Sequence, residues 1–384
     1  MLFTDTLGDV NGVSRFIRNA ADQALAGNRE LTVITSTNFD VPDRPNIMNV
    51  RPLYATKMPK YENLELAFPP ALKMMRLARE HRPDVIHIST PGSVGLVGRM
   101  AAKKLGVPVA GVYHTDFPAY IDKLFHNESL TAGCEQYMRT FYRAFRAVFT
   151  RSDDYGASLE KLGMPRAVLH TLRPGIRTEE FHPRFRNEAA WTSLGSPSGT
   201  IRLVYVGRVS VEKNLPMLAR VWRLADRALQ SRGIRAELNI IGDGPYRAQM
   251  ADDLRATRTR FLGFRYGEEL SALYAGAHFF VFPSTTDTLG QVVMESQASG
   301  LPVLVTDQGG PKEVVREGVT GFVLPAHNDA LWVDHIVALA TNEPLRRRMG
   351  EAAHEFMQDF SMQRSFDHFW RVHEGLHAAH PARG

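Results

Sequence analysis

Asp287 and Glu295 are separated by seven residues in Val281-Phe-Pro-Ser-Thr-Thr-Asp287-Thr-Leu-Gly290-Gln-Val-Val-Met-Glu295-Ser-Gln-Ala-Ser-Gly300-Leu-Pro302-Val, an apolar run followed by small residues and a helical pattern. At the helical rise, the two carboxylates sit about 12 Å apart on one side, far enough to grip opposite ends of one long polar ligand. Leu289-Gly290-Gln291 falls at the predicted helix start, where free backbone N–H groups and the positive end of the dipole favour oxygens and anions. A nucleotide sugar has that shape and charge. The plainer reading is a strand, a turn and a helix with two solvated acids, since helix N-termini are often acidic for dipole reasons alone.

Cations stand in a similar setting in Val206-Gly207-Arg208-Val-Ser-Val-Glu212-Lys213-Asn214. Gly207 allows a close turn, Arg208 offers a planar fork to two phosphate oxygens and Lys213 adds a point charge, together enough to neutralise a diphosphate leaving group. The same residues also suit an ordinary surface turn. Ile240-Ile-Gly242-Asp243-Gly244-Pro245 repeats the strand-then-glycine pattern, and Phe261-Leu-Gly263-Phe264 does so more weakly; both fit a base lined by backbone atoms, and both fit tight turns. Asn11-Gly12 links a first strand to a first helix whose N-terminus can meet a phosphate or an acceptor, or can be simply capped. His114, in Tyr113-His114-Thr115-Asp116, ends another strand, where an imidazole can donate to a sugar hydroxyl or stabilise developing charge.

These groups need a scaffold that gathers strand ends. Short β-branched runs, each followed by a helical pattern, predict an α/β protein with parallel sheets and crossover helices. One series places strands at 31–35, 84–88, 107–112 and 147–150 after an initial 2–5, with helices near 13–26, 70–82, 93–105 and 154–163. A second series restarts at 201–206, 236–241, 279–282 and 302–306. Leu172-Arg-Pro-Gly175-Ile-Arg-Thr-Glu-Glu-Phe181-His-Pro183 breaks the pattern between them. The chain of 384 residues exceeds the size at which one core keeps growing. The expectation is two Rossmann-like domains facing across a cleft, 1–172 and 173–361, with a last helix at about 362–378 packing back on the first. Ligands of open α/β sheets bind outside the carboxyl ends of the strands, which is where the residues above fall.

A hydrophobic fraction of 44% with mixed charges excludes disorder, and no apolar run reaches the length of a membrane span. Met1 leads straight into a strand, so the expected location is the cytoplasm. A single cysteine, Cys134, forms no internal disulfide and reads as a small packed residue. The net charge of +5 suits phosphate-bearing ligands or an anionic surface, and neither a basic tail nor zinc-finger spacing points to nucleic acid.

Taken together, the Asp287-to-Glu295 segment with its Ala298-Ser-Gly300-Leu-Pro302-Val tail, Gly207-Arg208 with Lys213, and Asn11-Gly12 resemble the family 4 glycosyltransferases of GT-B fold, over essentially the whole chain. The resemblance implies that Glu295 grips the ribose hydroxyls and that Asp287, Leu289, Gly290 and Gln291 hold the transferred sugar. It puts the pyrophosphate on Arg208 and Lys213, with His114 near the sugar. It further implies retention of anomeric configuration without a metal, and the lack of an Asp-x-Asp triplet agrees, because oxygen-seeking ions need paired acids. Two departures stand out. The first acid is usually Glu, so Asp287 is one methylene short, and Gly175-Ile-Arg177 replaces the usual Gly-x-Asp, so Arg177 is assigned no role.

The local wording is similar to members that build glycolipids from GDP-mannose or UDP-sugars, which implies a GDP- or UDP-linked donor substrate, with GDP-mannose preferred, no further cofactor, and a lipid or glycan acceptor. On the helix after Pro69-Pro70, Lys73, Arg76 and Arg79 recur at spacings of three opposite Leu72, Met75 and Ala78, with Lys57 and Lys60 upstream. Segment 57–82 therefore reads as a surface for anionic headgroups, or as a solvated face over a core stripe. A nucleotide-sugar-binding protein without turnover is the alternative from another class. A nicotinamide dehydrogenase is disfavoured because no Gly-x-Gly-x-x-Gly follows the first strand.

Overall fold

The computed structural model describes residues 1–8, 12–58, 61–150, 153–172, 174–287 and 289–380, without the side chains of 12, 57, 58, 61–66, 123–125, 153 and 154. The chain divides into one unit of Met1–Gly175 with Met362–Gly384 and a second of Ile176–Ser361.

The first unit carries β1 (Leu2–Thr4), β2 (Val33–Thr35), β3 (Ile47–Asn49), the antiparallel hairpin β4 (Tyr54–Met58) and β5 (Tyr61–Phe68), then β6 (Ile86–Ile88), β7 (Val109–Tyr113), β8 (Ala147–Thr150) and β9 (Leu169–Thr171). All but the hairpin form one sheet, in the order β3-β2-β1-β6-β7-β8-β9, with every pair parallel. The helix Met362–Ala379 closes one face. Its Phe366 and Phe369 are buried with Leu2, Ile17 and Phe149, and the rings of Phe149 and Phe369 stack at 5.4 Å.

The second unit holds β10 (Ile201–Val206), β11 (Ala236–Ile241), β12 (Thr259–Gly263), β13 (Phe279–Phe282), β14 (Val303–Thr306) and β15 (Gly321–Leu324), paired in parallel in the order β12-β11-β10-β13-β14-β15. Because helices cover both faces of such a sheet, its central strands are apolar throughout rather than alternating, as β13 and β14 show. Arg202 is the exception within β10. It is buried and stabilised by a fork of bonds to Glu188 and by the Ser196 hydroxyl at 2.9 Å.

In both sheets the chain order reverses once, between β1 and β6 and between β10 and β13. The loops leaving the carboxyl ends of these strand pairs flank the crevice at which doubly wound sheets take ligands.

Among the strands, β3, β9, β12, β15 and the hairpin lie outside the predicted pattern, and so do the helices Phe117–Phe125 and Glu128–Tyr142 among others. The four sheet strands among them are three to five residues long, with charged or polar residues interrupting β12, so their periodicity is too brief to separate from loop. The helix Ala71–His81 also differs in orientation. It buries Met74 and Ala78, while Leu72 points outward with 85% of its surface exposed, so the core stripe runs through Met74 rather than Leu72. Lys60 and the side chain of Lys57 lie outside the described residues.

Candidate functional site

The site of the second unit is built on the loops after β10 and β13, either side of its switch point. Gly207 leaves β10 at φ 152° and brings the chain back over the end of β11, where its N–H donates to the Ile241 carbonyl at 3.0 Å. Gly242 and Gly244 receive it. A Cβ on Gly242 would lie 2.0 Å from the Gly207 carbonyl oxygen, and one on Gly244 would lie 2.3 Å from that of Val209. These two glycines are therefore fixed by backbone crowding between neighbouring strand ends. Gly263 has open space where a Cβ would stand, at φ 68°, and its carbonyl accepts the Gly242 N–H at 2.8 Å.

Beyond Gly207, the buried Tyr205 hydroxyl donates to the Arg208 carbonyl at 2.9 Å and fixes the loop backbone. The Arg208 side chain is exposed, and its guanidinium makes no hydrogen bond or ion pair among the described residues. A short helical turn, Val211–Lys213, then carries Lys213 to the opposite loop.

Lys213 meets Asp287 there, Nζ to Oδ2 at 2.8 Å, with the two side chains 20% and 27% exposed. The hydroxyl of fully buried Ser284 donates to the same carboxylate oxygen. Thr286 ties the loops together again through its hydroxyl, which donates to the Glu212 carbonyl at 3.3 Å. The Asp287 backbone is held from the β14 side, where its carbonyl accepts the Gly310 N–H at 2.8 Å. The cation assigned to phosphate and the acid assigned to sugar thus form one unit spanning the switch point.

The structure corrects the helical placement of the two acids. The helix runs from Gln291 to Ala298, so only Glu295 lies on it and Asp287 stands in the loop before it. Gly290 is the reason: it caps the helix at φ 68°, a left-handed conformation from which the preceding chain turns away, and a Cβ there would press on Pro311 at 2.9 Å. Leu289, in that same loop, packs on the core, and Gln291 opens the helix. Glu295 is half-buried, and the buried Tyr274 hydroxyl hydrogen-bonds its carboxylate, an arrangement that with burial holds the phenol well above its ordinary pKa.

Beyond Gly263, two aromatic side chains are left in solvent at the carboxyl end of β12. Phe264 and Tyr266 are 57% and 71% exposed, with near-parallel rings 6.1 Å apart.

In the first unit, His114 follows β7, half-buried, with its ring edge-on to Phe16 at 6.4 Å. Gly12 opens the helix Gly12–Ala26, and Asn11 lies outside the described residues. At this unit's switch point the half-buried Asp5 accepts from Thr90 Oγ1 at 2.6 Å and from the Val94 N–H at 2.8 Å. Its carboxylate occupies the N-terminus of the helix Ser93–Leu105, and burial raises its pKa against the pull of those bonds. Cys134 is half-buried on the helix Glu128–Tyr142, its thiol pushed up by burial and by Asp116, the opposite of what a nucleophilic thiolate needs.

Ser284, Tyr205, Tyr274 and Asp5 escaped the sequence reading. Ser284 lay inside the diagnostic stretch, but which hydroxyl reaches which acid depends on loop conformation. The tyrosines look like core residues because they are core residues, with only the hydroxyl reaching the site. Among the described residues no group of three or more His, Cys, Asp or Glu is arranged to hold a metal, and no helix is long and apolar enough to cross a membrane.

Comparison with known proteins agrees with this architecture. Residues 10–180 match the model of glycosyltransferase family 4, and residues 188–356 match that of glycosyl transferases group 1. A GDP-mannose-dependent alpha-mannosyltransferase from Mycobacterium tuberculosis is 32% identical over 83% of this chain and 81% of its own length. Sulfoquinovosyl transferase SQD2 of Arabidopsis thaliana is 29% identical over 89% of this chain, which spans only 64% of that protein. An alpha-monoglucosyldiacylglycerol synthase from Streptococcus pneumoniae is 24% identical over 95% of this chain and 86% of its own length. Among solved structures, sucrose-phosphate synthase from Thermosynechococcus elongatus superposes with a TM-score of 0.72 at 16% identity, covering 98% of this chain and 99% of its own. Anabaena HepE in complex with UDP gives 0.72 at 17%, covering 97% and 99%. With two parallel Rossmann-like sheets and these matches along its length, the chain belongs to the family 4 glycosyltransferases and has the GT-B fold.

Proposed function

We propose that the protein moves a hexose from GDP-mannose to a lipid-linked or glycan acceptor, with retention of anomeric configuration and without a metal ion. The observation that carries this reading is the pairing of Lys213 with Asp287 across the switch point, on the same loop as the exposed Arg208. In the reaction the acceptor hydroxyl oxygen bonds to the anomeric carbon on the face from which the diphosphate departs. The carbon–phosphate-oxygen bond breaks, and the hydroxyl proton passes to the departing phosphate. Arg208, Lys213 and the backbone N–H groups at the start of the helix Gln291–Ala298 stabilise the charge that develops on that oxygen, the work a divalent cation does elsewhere. Asp287 and the loop Leu289–Gln291 face the sugar, and Glu295, steadied by Tyr274, takes the ribose diol.

Support for GDP-mannose comes from the mannosyltransferase relative, and support for a lipid acceptor from the diacylglycerol glycoside synthase. The place of action is the cytoplasm, at the inner face of a membrane that presents the acceptor. Thermal stabilisation of the purified chain by GDP, UDP, ADP and their sugar conjugates tests the donor. Selective stabilisation by GDP and GDP-mannose is expected, followed by transfer that is insensitive to EDTA. Stabilisation by UDP alone would overturn the donor, and loss of turnover in EDTA would overturn the metal-free mechanism.

A further inference from the structure

The second unit holds a cavity of about 810 Å³ at the end of its sheet opposite the loops described above. It opens where β10 and β13 begin, and one face of the helix Glu343–Gln358 walls it with Glu343, Arg346, Arg347 and Glu351. Gly350 lets that helix come close: a Cβ there would lie 2.2 Å from the Gly300 carbonyl oxygen. Three arginines of the lining keep donors to spare. Arg347 is exposed and makes no hydrogen bond or ion pair among the described residues. Arg186 gives its Nε–H to the Ala275 carbonyl at 3.1 Å, and Arg346 gives one terminal nitrogen to the Leu339 and Ala340 carbonyls, so each guanidinium retains further N–H groups. The fourth arginine of the lining, Arg202, is already matched by Glu188, which leaves Glu343 and Glu351 as the other acids.

Two neutral groups of the wall also lack an answer from the protein. His278 Nδ1 accepts the Arg202 N–H at 3.1 Å, so the proton of the neutral ring sits on Nε2, which has no hydrogen-bond partner among the described residues. Burial, with Arg346, Arg202 and Arg186 nearby, depresses the pKa of that ring from 6.5 to about 4. Thr200 is fully buried and its hydroxyl oxygen has no partner, a state that folded chains ordinarily avoid. We infer that this cavity binds a phosphorylated sugar, with its phosphoryl group on Arg186, Arg346 and Arg347 and its hydroxyls on Glu343, Glu351 and Thr200. Guanidinium forks match pairs of phosphate oxygens, and the His278 Nε2–H adds a neutral donor. The two carboxylates decide the rest of the ligand: they accept from sugar hydroxyls and would repel a second phosphate. The six residues of β10 separate the cavity from Gly207 and Arg208 by about 20 Å at the strand rise, so this ligand binds alongside the donor and not in its place.

The test is isothermal titration of the full chain with the 1- and 6-phosphates of glucose and mannose, with inorganic phosphate, and with glucose. At least one hexose phosphate is expected to bind about tenfold or more tightly than inorganic phosphate, and glucose is expected not to bind. A hydrogen bond from a charged group is worth about tenfold or more and a neutral one about fivefold. Arg347→Glu should therefore weaken binding by more than tenfold and Thr200→Val by about fivefold, both with a melting temperature near that of the parent. Arg208→Ala, at the donor loops, should bind as the parent does. The ring-nitrogen resonances of His278 should move on binding and its pKa should rise, which locates the ligand in this cavity. No binding by any of these hexose phosphates, equal affinity for inorganic phosphate, binding unchanged by Arg347→Glu, or unmoved His278 resonances would overturn the inference. Loss of binding in Arg208→Ala would overturn it too, by putting the ligand at the donor loops. None of these measurements uses turnover or a nucleotide sugar, so the outcome is separate from that of the transferase reading.

Discussion

Lys213 and Asp287 are held together before any substrate arrives, and the energy of that contact is measurable. Coulomb's law gives two unit charges 2.8 Å apart about 1.5 kcal/mol at the dielectric of water and about 6 kcal/mol at an effective dielectric near 20. The side chains are 20% and 27% exposed, so water still reaches both, and the Ser284 hydroxyl shares the carboxylate oxygen. The expected coupling is therefore about 2 kcal/mol, above the 0.2–1 kcal/mol typical of fully exposed pairs. The assay is a double-mutant cycle of Lys213→Met, Asp287→Asn and both together, read by urea unfolding of the second unit. Three of the four tryptophans, Trp191, Trp222 and Trp332, are buried in that unit and report its transition by fluorescence. Because the pair is partly buried, at least half of the coupling should survive at 0.5 M salt. A coupling below about 0.5 kcal/mol would refute the reasoning: Lys213 would then be a mobile surface lysine, with no fixed place from which to meet a diphosphate.

Arg208→Ala should lower turnover by more than tenfold, on the order of the 2–4 kcal/mol carried by one electrostatic group at a leaving oxygen, with little change in melting temperature because the side chain is exposed; unchanged turnover removes its role. Gly242→Ala should destabilise the second unit by about 3 kcal/mol or more, since its Cβ would meet the Gly207 carbonyl oxygen at 2.0 Å and no flexible side chain can give way; a wild-type denaturation midpoint would contradict that packing. Acid should loosen the first unit. His373 is half-buried, its ring nitrogen 3.0 Å from that of buried His87, and desolvation of the ring depresses its pKa from 6.5 to about 4. The folded imidazole stays neutral while the unfolded one takes up a proton, so stability is lost as pH falls from about 6.5 towards 4. Between pH 7 and 5 the loss from His373 is about 2 kcal/mol. His373→Gln should reduce the pH slope of unfolding by that amount, and an unchanged slope would mean that the fold does not keep the imidazole neutral.

Much of this molecule is legible in its residues because local chemistry and tertiary role coincide. Strands β8, β10, β11 and β13 fall at the predicted positions because a covered parallel strand is a short, mostly apolar run between breakers, visible without knowing its neighbours even where Arg202, Glu237 and Asn239 interrupt it. The glycine at 207 marks the turn after β10 because it must take a φ of 152° where the chain folds back over the end of β11, a need visible at a strand end. By contrast, the hairpin and the outward turn of Leu72 were hidden, since the helical pattern alone permits either apolar side to face inward. Lys213 and Asp287 are 74 positions apart, and nothing in either segment says that one answers the other.

The sequence by itself determined the α/β class, because apolar runs and helical patterns are legible within short segments, and the family, through a resemblance that runs along the whole chain. Tertiary structure alone decided that Gly242 and Gly244 are held by crowding against the β10 loop, that Asp287 sits off the helix beyond Gly290 and is engaged by Lys213 and Ser284, and that Tyr274 reaches Glu295 from the core. Those facts depend on distances between segments far apart in the chain, and such distances are set by how sheets and helices pack.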